Sequence, residues 1–194
     1  MDHALPDSFY SYKTFDKLAY AGQEVHNKIF EECIFNHCDF SGADFFKTRF
    51  VDCFFVDCNL SMIKLRNCGL QNISFRECKL LGVNFSESDP FLFAVKFESC
   101  VLDYASFMGK KMPGTLFQYT SLKSAVFIKT DLKGAKFEQA DLEGALFEET
   151  ILTGADFTTA SHYAIDPENN RIRKARFSLH GLPGLLHKYD LYIE

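Results

Sequence analysis

Seven cysteines and six histidines are the side chains of this 194-residue chain with the widest chemistry, as metal ligands, nucleophiles or proton carriers. Their spacing points elsewhere. Cys33, Cys38, Cys53, Cys58, Cys68, Cys78 and Cys100 stand at multiples of five, apart from the one interval that crosses a seven-residue step. No short C-x-x-C pair with converging histidines offers a zinc set, so the thiols read as small core residues. Seven is an odd number, and free thiols suit a reducing compartment. His3, His26, His37, His162, His180 and His187 fall outside that register, and no Ser or Cys has an evident His and acid partner by position. G-x-S-x-G, G-x-x-x-x-G-K-[ST] and H-E-x-x-H are all missing. The sequence therefore predicts no catalytic residue, no cofactor and no metal.

The carboxylates are the remaining candidates. From Asp131 to Glu168 nine acids, among them Asp131, Glu138, Asp141, Glu143, Glu148, Glu149 and Asp156, face only Lys133 and Lys136, a local charge of −7. Outward carboxylates spaced ~4.8 Å along a rod roughly follow a phosphate line, which carries one charge per ~3.4 Å of strand. The alternative is a solvated face, its acids partly neutralised by nearby lysines.

The elements that hold these residues follow from a period of five. Stepping from Phe15 gives Phe15, Tyr20, Val25, Phe30 and so on to Phe85, and after one step of seven Leu92, Phe97, Leu102 and on to Phe157. Of these 29 centres, 26 are Phe or Leu, in a chain with 22 Phe and no Trp. Five matches neither a strand's two nor a helix's 3.6, so the chain must turn every five residues. Two places before each centre the side chain points the same way, and there stand the seven cysteines with Ala, Thr, Val and Ile; Lys110 alone is a misfit. A large apolar residue paired with a small one at every corner describes a narrow tube filled by its own side chains.

Four sides fit best. From Phe97 to Phe157 the centres largely alternate Phe and Leu, and a 20-residue coil stacks Lys123 under Glu143, Lys129 under Glu149, Lys136 under Asp156 and Asp44 under Lys64. Glu32 over Asp52 and Asp57 over Glu77 are like-charged exceptions. The expected fold is an all-β solenoid, a right-handed quadrilateral β-helix of about seven coils, roughly 35 Å long at ~4.8 Å per coil. Its spans are a lead-in at 1–14, coils at 15–159 with a phase break near 86–91, and a cap at 160–194.

Cys38-Asp39-Phe40, Ala43-Asp44-Phe45, Cys58-Asn59-Leu60, Val83-Asn84-Phe85, Thr130-Asp131-Leu132, Ala140-Asp141-Leu142 and Ala155-Asp156-Phe157 carry a small residue, then Asp or Asn, then Leu or Phe. In these the sequence resembles the pentapeptide-repeat proteins, whose fold is the quadrilateral β-helix. A narrower resemblance, to the gyrase-binding quinolone-resistance and albicidin-resistance members, lies in Phe50-Val51-Asp52-Cys53, Asp57-Cys58-Asn59-Leu60-Ser61, Leu81-Gly82-Val83-Asn84 and Lys174-Ala175-Arg176-Phe177-Ser178-Leu179. It implies a non-enzymatic DNA mimic for DNA gyrase or a related topoisomerase, with possible resistance to gyrase-targeting antibiotics, and a two-fold homodimer through a C-terminal helix. The break Ser86-Glu87-Ser88-Asp89-Pro90 is shorter than the loops such relatives carry, which puts drug protection in question.

The balance of 21 basic against 26 acidic residues, net −5, argues against direct nucleic-acid binding. No apolar run approaches the roughly 20 residues of a bilayer span, and Met1 to Tyr10 lacks a basic-then-apolar leader, so a cytoplasmic protein is expected. Leu182, Leu185, Leu186 and Tyr189 at i, i+3, i+4 and i+7 predict a short amphipathic helix beginning near Pro183, as cap or as cap and dimer contact. Leu191-Tyr192-Ile193 is a candidate terminal strand. A dimer through this end would make a rod of roughly 70 Å, about 20 base pairs. A rigid scaffold for another cytoplasmic protein is the rival reading.

Overall fold

The computed structural model describes residues 5–192, and in it the five-residue period becomes a four-sided coil. Each strand lies parallel on the one a coil below, with Phe9 paired to Ile29, Ile29 to Arg49 and Arg49 to Gly69, a constant step of 20. Three-residue strands fit the geometry, because a longer extended run could not turn the corner. One side carries a four-stranded sheet and the next a nine-stranded sheet, while the other two are joined by single bridges such as Asp39 to Asn59 and Asp44 to Lys64. Counting from the centre Tyr10, these sides are termed first to fourth. Most corners use a left-handed residue, glycine at Gly22, Gly42 and Gly82 but Tyr12, His37 and Asp57 elsewhere.

The coils run further than the 15–159 span read from the period. Tyr10 and Leu5 are buried below Phe15, and beyond Phe157 the ladder continues through Ile151 on Arg171 and Phe157 on Phe177. Nine strands from Thr14–Asp16 to Arg176–Phe177 stack on the second side, so the solenoid has about eight turns where seven were expected.

Inward centres fill the tube. Phe40, Leu60 and Phe137 are buried, and so are all seven cysteines, none in a disulfide. The alternation of Phe and Leu places aromatic columns on opposite walls. On the second side Phe97, Phe117, Phe137 and Phe157 stack at 4.5 to 5.5 Å, and on the fourth Phe107, Phe127 and Phe147 stack at 4.9 to 5.2 Å. The columns meet edge-on across the axis, Phe117 to Phe127 at 5.9 Å. Offset stacking and edge-to-face contact are the arrangements aromatic quadrupoles favour.

The small inward residues also donate hydrogen bonds. Cys53 Sγ donates to the Phe30 carbonyl at 3.4 Å and Cys78 Sγ to Phe55 at 3.4 Å; Thr130 Oγ1 donates to Phe107 at 2.9 Å, and Thr48 and Thr150 do the same to Val25 and Phe127. A thiol and a hydroxyl of similar size thus serve one purpose, supplying a donor to a centre carbonyl one coil below. Burial pushes the Cys53 thiol up to about 12, so it stays protonated at neutral pH.

The phase break lies slightly later than expected. The Asp89 amide still donates to the Cys68 carbonyl at 2.8 Å, and the Ala94 amide resumes the ladder at Leu70, so the two extra residues fall between them. Phe91 and Leu92 project outward, and Phe93, not the expected Leu92, enters the core. Lys110 belongs to this repair. Its buried Nζ donates to the Ser88 carbonyl at 2.7 Å and lies 4.8 Å from the Phe93 ring centroid. Burial pushes its ammonium down, with Asp89 opposing the shift.

At the C-terminal end a helix does start at Pro183, but it spans only Pro183–Leu186, between single 3-10 turns at Leu179–Gly181 and His187–Tyr189. Gly181 and Gly184 keep it short and close. A Cβ on Gly181 would overlap the Tyr163 hydroxyl and one on Gly184 the Tyr163 carbonyl, while the Gly184 carbonyl accepts from the Ile165 amide at 2.9 Å. Leu191 and Tyr192 form no strand, and Ile193 lies outside the described residues.

Candidate interaction surface

With the interior filled, any activity belongs to the outward positions. Among the described residues no three His, Cys, Asp or Glu side chains converge as a metal site, and no helix is long and apolar enough to cross a membrane.

The seven acids singled out in the sequence do not share one face. Asp131 precedes a first-side centre, Glu138 and Asp156 flank second-side centres, Asp141 and Glu143 flank the third-side Leu142, and Glu148 and Glu149 follow the fourth-side Phe147. They ring the rod.

Three of them also shape the backbone. The Asp131, Asp141 and Asp156 Oδ1 atoms accept from the amides of Lys133, Glu143 and Thr158 at 3.0 to 3.2 Å, as Asp39 and Asp44 do in earlier coils. This is the Asx-turn, and it explains the Asp or Asn before so many centres. The signal was in the motif, where these acids occupy the position that turns the chain.

Neighbouring coils neutralise several of the seven acids. Lys123 Nζ reaches Glu143 at 2.8 Å and Asp141 at 3.2 Å, and His162 Nδ1 meets Asp141 at 2.8 Å. Partial burial works to raise the Asp141 carboxyl, but hydrogen bonds from His162 and Lys123 outweigh it and hold the group below the ordinary carboxylate range. Lys129 meets Glu149 at 3.7 Å. The other two expected charge pairs rearrange: Asp156 takes Arg176 at 3.0 Å, not Lys136, and Asp44 lies near His26 and Arg66, not Lys64. Of the like-charged exceptions, Glu32 over Asp52 is buffered by neutral donors, Tyr12 to Glu32 and Asn72 to Asp52, while in Asp57 over Glu77 the Asp57 carboxylate lies 3.9 Å from His37. Glu138 accepts only from Gln118, and Glu148 has no side-chain partner among the described residues. These two stand on opposite sides of the rod, free of both turn duty and ion pairing.

The charge is uneven along the axis: residues 131–168 carry −7, residues 1–130 carry −1, and the following residues 169–194, whose first coil stacks on the same end, carry +3.

Of the candidate cap and dimer residues only Leu185 packs on the core. Leu182 and Leu186 are exposed, and Tyr189 is about half exposed with its hydroxyl donating to Glu168 at 3.0 Å. The end of the tube is closed instead by Tyr163 and Phe177, in ring contact with Phe157 and with each other. Lys188 ties the tail down through Asp166 at 2.8 Å and Glu168 at 2.6 Å, which holds both carboxyls below their usual range.

Comparison with known proteins places the scaffold. Residues 28–107 match the model of the pentapeptide repeat region, and residues 111–144 and 140–161 match the model of pentapeptide repeats in eight copies. No curated protein matches the sequence. Among solved structures, trypsin-treated variants of QnrB1, a plasmid-mediated fluoroquinolone resistance protein, align at a TM-score of 0.66 with 19% identity over 93% of this chain and 100% of theirs, and at 0.72 with 16% identity over 96% and 98%. Full-length QnrB1 aligns at 0.66 with 18% identity over 92% of this chain and 100% of its own. At these identities the likeness is one of fold, and together with the repeat matches and the coil geometry it settles the family: this chain is a pentapeptide-repeat protein.

Proposed function

We propose that the protein binds DNA gyrase or a related type II topoisomerase, without catalysis of its own, as a decoy for duplex DNA. The observation that carries the reading is the acidic end of the rod. Residues 131–168 carry −7 against +3 in residues 169–194, the acids surround the coils, and Glu138 and Glu148 offer carboxylates free of ion pairs on opposite sides. A duplex likewise presents charge on two opposed lines. Likeness of fold to a fluoroquinolone resistance protein supports the choice of partner. The exposed Leu179, Leu182, Leu186 and Tyr189 supply an apolar end for a two-fold dimer. Nine levels at ~4.8 Å make roughly 40 Å, so that dimer would span about 80 Å, comparable with about 23 base pairs. A cytoplasmic location follows from such a partner and from seven unpaired thiols.

A gyrase supercoiling assay tests this. Excess protein is expected to inhibit supercoiling or to relieve drug poisoning of gyrase, and Glu138→Lys with Glu148→Lys to weaken that effect about tenfold or more. No effect of the native protein, or full effect of the reversed one, rejects it. The intramolecular pairing of Asp141, Glu143, Glu149 and Asp156 favours a second reading, a rigid scaffold whose acids serve its own stability. A pull-down from native lysate separates the two, since gyrase subunits are recovered only under the first.

A further inference from the structure

The second side of the coil carries a groove of about 560 Å³ on the outer face of its sheet, ending one coil below Glu138. It crosses five strands, Ile34–Asn36, Phe54–Val56, Ile73–Arg76, Val95–Glu98 and Leu116–Gln118. Its floor is Ser74. In one outward column Phe54 lies directly below Ser74 and Lys96 directly above it, so a small side chain sits between two long ones. In the parallel column Val56, Arg76 and Glu98 follow one another.

Two features of this groove have no use in the fold. Phe54 is 51% exposed beside Ile34 at 38%, although every centre of these strands already faces the core. Arg76 and Lys96 make no ion pair among the described residues, and Glu98, next to Arg76 in register, makes none either, so two cations face one carboxylate in the groove. Apolar walls beside unpaired cations favour an occupant that is apolar and acidic. The length argues for a peptide. Five strands span about 19 Å, which about six extended residues cover at ~3.3 Å each.

We propose that this groove docks an extended segment of a partner protein, with an apolar side chain seated over Ser74 between Phe54 and Lys96 and a carboxylate two residues away meeting Arg76 and Lys96. Residues i and i+2 of an extended segment share a face, which sets that spacing. The site lies on the second side just below Glu138, which accepts from its lining residue Gln118, and it does not depend on the gyrase reading. The rod then has two adjoining interfaces on its second side, one for a duplex-like acidic role and one for an acidic peptide.

Fluorescence polarisation with the full chain tests the proposal. The probe is a labelled hexapeptide, Leu-Ser-Phe-Ser-Asp-Ser, and its counterpart with lysine replacing aspartate. The acidic peptide is expected to bind saturably and about tenfold tighter than the basic one, and to lose about tenfold or more in Ser74→Trp and in Arg76→Glu with Lys96→Glu. Both variants change outward side chains only, and unchanged circular dichroism and Tm verify their fold. Equal binding of the two peptides, absence of saturation, or full binding by Ser74→Trp overturns the proposal. So does a change of oligomeric state on Ser74→Trp in sedimentation velocity, which would make a second copy of the chain the occupant. Glu148→Lys, on the opposite side of the rod, should leave peptide affinity untouched, so failure of the gyrase assay and failure of this one are read separately.

Discussion

Phe127→Ala probes the aromatic columns most directly. Phe127 is fully buried, stacked on Phe107 at 5.2 Å and Phe147 at 4.9 Å, with edge contacts to Phe117 at 5.9 Å and Phe137 at 6.2 Å. Truncating a core phenylalanine costs about 3–5 kcal/mol, and four ring partners with no room to collapse place this site near the top, at about 4–5. Phe177 closes the same interior at the end of the second-side column but is only partly buried, with a stacked Phe157 at 5.3 Å and a tilted Tyr163 at 5.6 Å. Its truncation should cost about 2 kcal/mol. For a chain of this size about 2–4 °C of Tm accompanies each kcal/mol, so Phe127→Ala should lower Tm by about 10–15 °C and Phe177→Ala by about 5 °C. Phe127→Leu, which keeps the volume type that Leu65 supplies on the same wall, should lose only about 1–2 kcal/mol. Urea and thermal unfolding followed by circular dichroism give these values. In a solenoid each coil touches only its neighbours, so a central cavity weakens two interfaces and a terminal one weakens a single interface. Equal losses at Phe127 and Phe177, or a loss below about 1 kcal/mol at Phe127, would refute the packing argument.

Three further outcomes are expected. Cys53→Thr should change stability by no more than about 0.5 kcal/mol, because a hydroxyl can make the same bond to the Phe30 carbonyl, whereas Cys53→Leu should cost about 1–3 kcal/mol by overpacking; a thiol reagent should modify no cysteine in the native protein and all seven in urea. The His37 imidazole, bonded to Asp16 at 2.9 Å, should titrate in NMR above its ordinary value of 6.5. Its contribution to stability is complete below 6.5 and fades as pH climbs through the raised value, and Asp16→Asn should return the midpoint toward 6.5 and flatten that dependence. Gly184→Ala should detach the tail by pushing a methyl into the Tyr163 carbonyl, seen as faster trypsin cleavage after Arg176 and Lys188 while the coils keep their circular dichroism.

Most of the solenoid was legible because its core is periodic and its period is unlike any other fold's. Where legibility failed, a local exception masked the phase. Leu5, Tyr10, Ile172 and Phe177 all fall on the five-residue grid, yet His162 and Pro167 occupy grid positions between Phe157 and Ile172, so the pattern ended too early on paper. At the break, Leu92 fits the grid by residue type, but the two extra residues bulge at Phe91 and Leu92 and hand the core position to Phe93. Lys110 stood out as a misfit, while its solution, a buried ammonium on the Ser88 carbonyl, depends on where that bulge falls in three dimensions. The acids were visible as a cluster, and the grid separates Asp131, before its centre, from Glu148, after it, but only the Asx-turn geometry shows that the first position turns the backbone.

That distinction separates fold from function along the whole chain. In each five-residue side the centre and the small residue two before it face the core, and the residue between them often turns the chain through its carboxylate or amide. Only the first position after the centre, and the residue before it where it is not Asp or Asn, are left for a partner to select, because the second position after the centre is the left-handed corner residue on most sides. Glu138 and Glu148 follow their centres, and so does Arg76; Phe54, Ser74 and Lys96 precede theirs in place of the turn-forming Asp or Asn. The residues assigned here to binding are therefore ones the coil does not need. Exposed positions without such duties usually change stability within about 0.5 kcal/mol when replaced, so substitutions at Glu138, Glu148, Ser74, Arg76 and Lys96 should leave Tm nearly fixed while altering binding. A large stability loss at any of them would mean that the site is part of the scaffold, and the interface built on it would have to be abandoned.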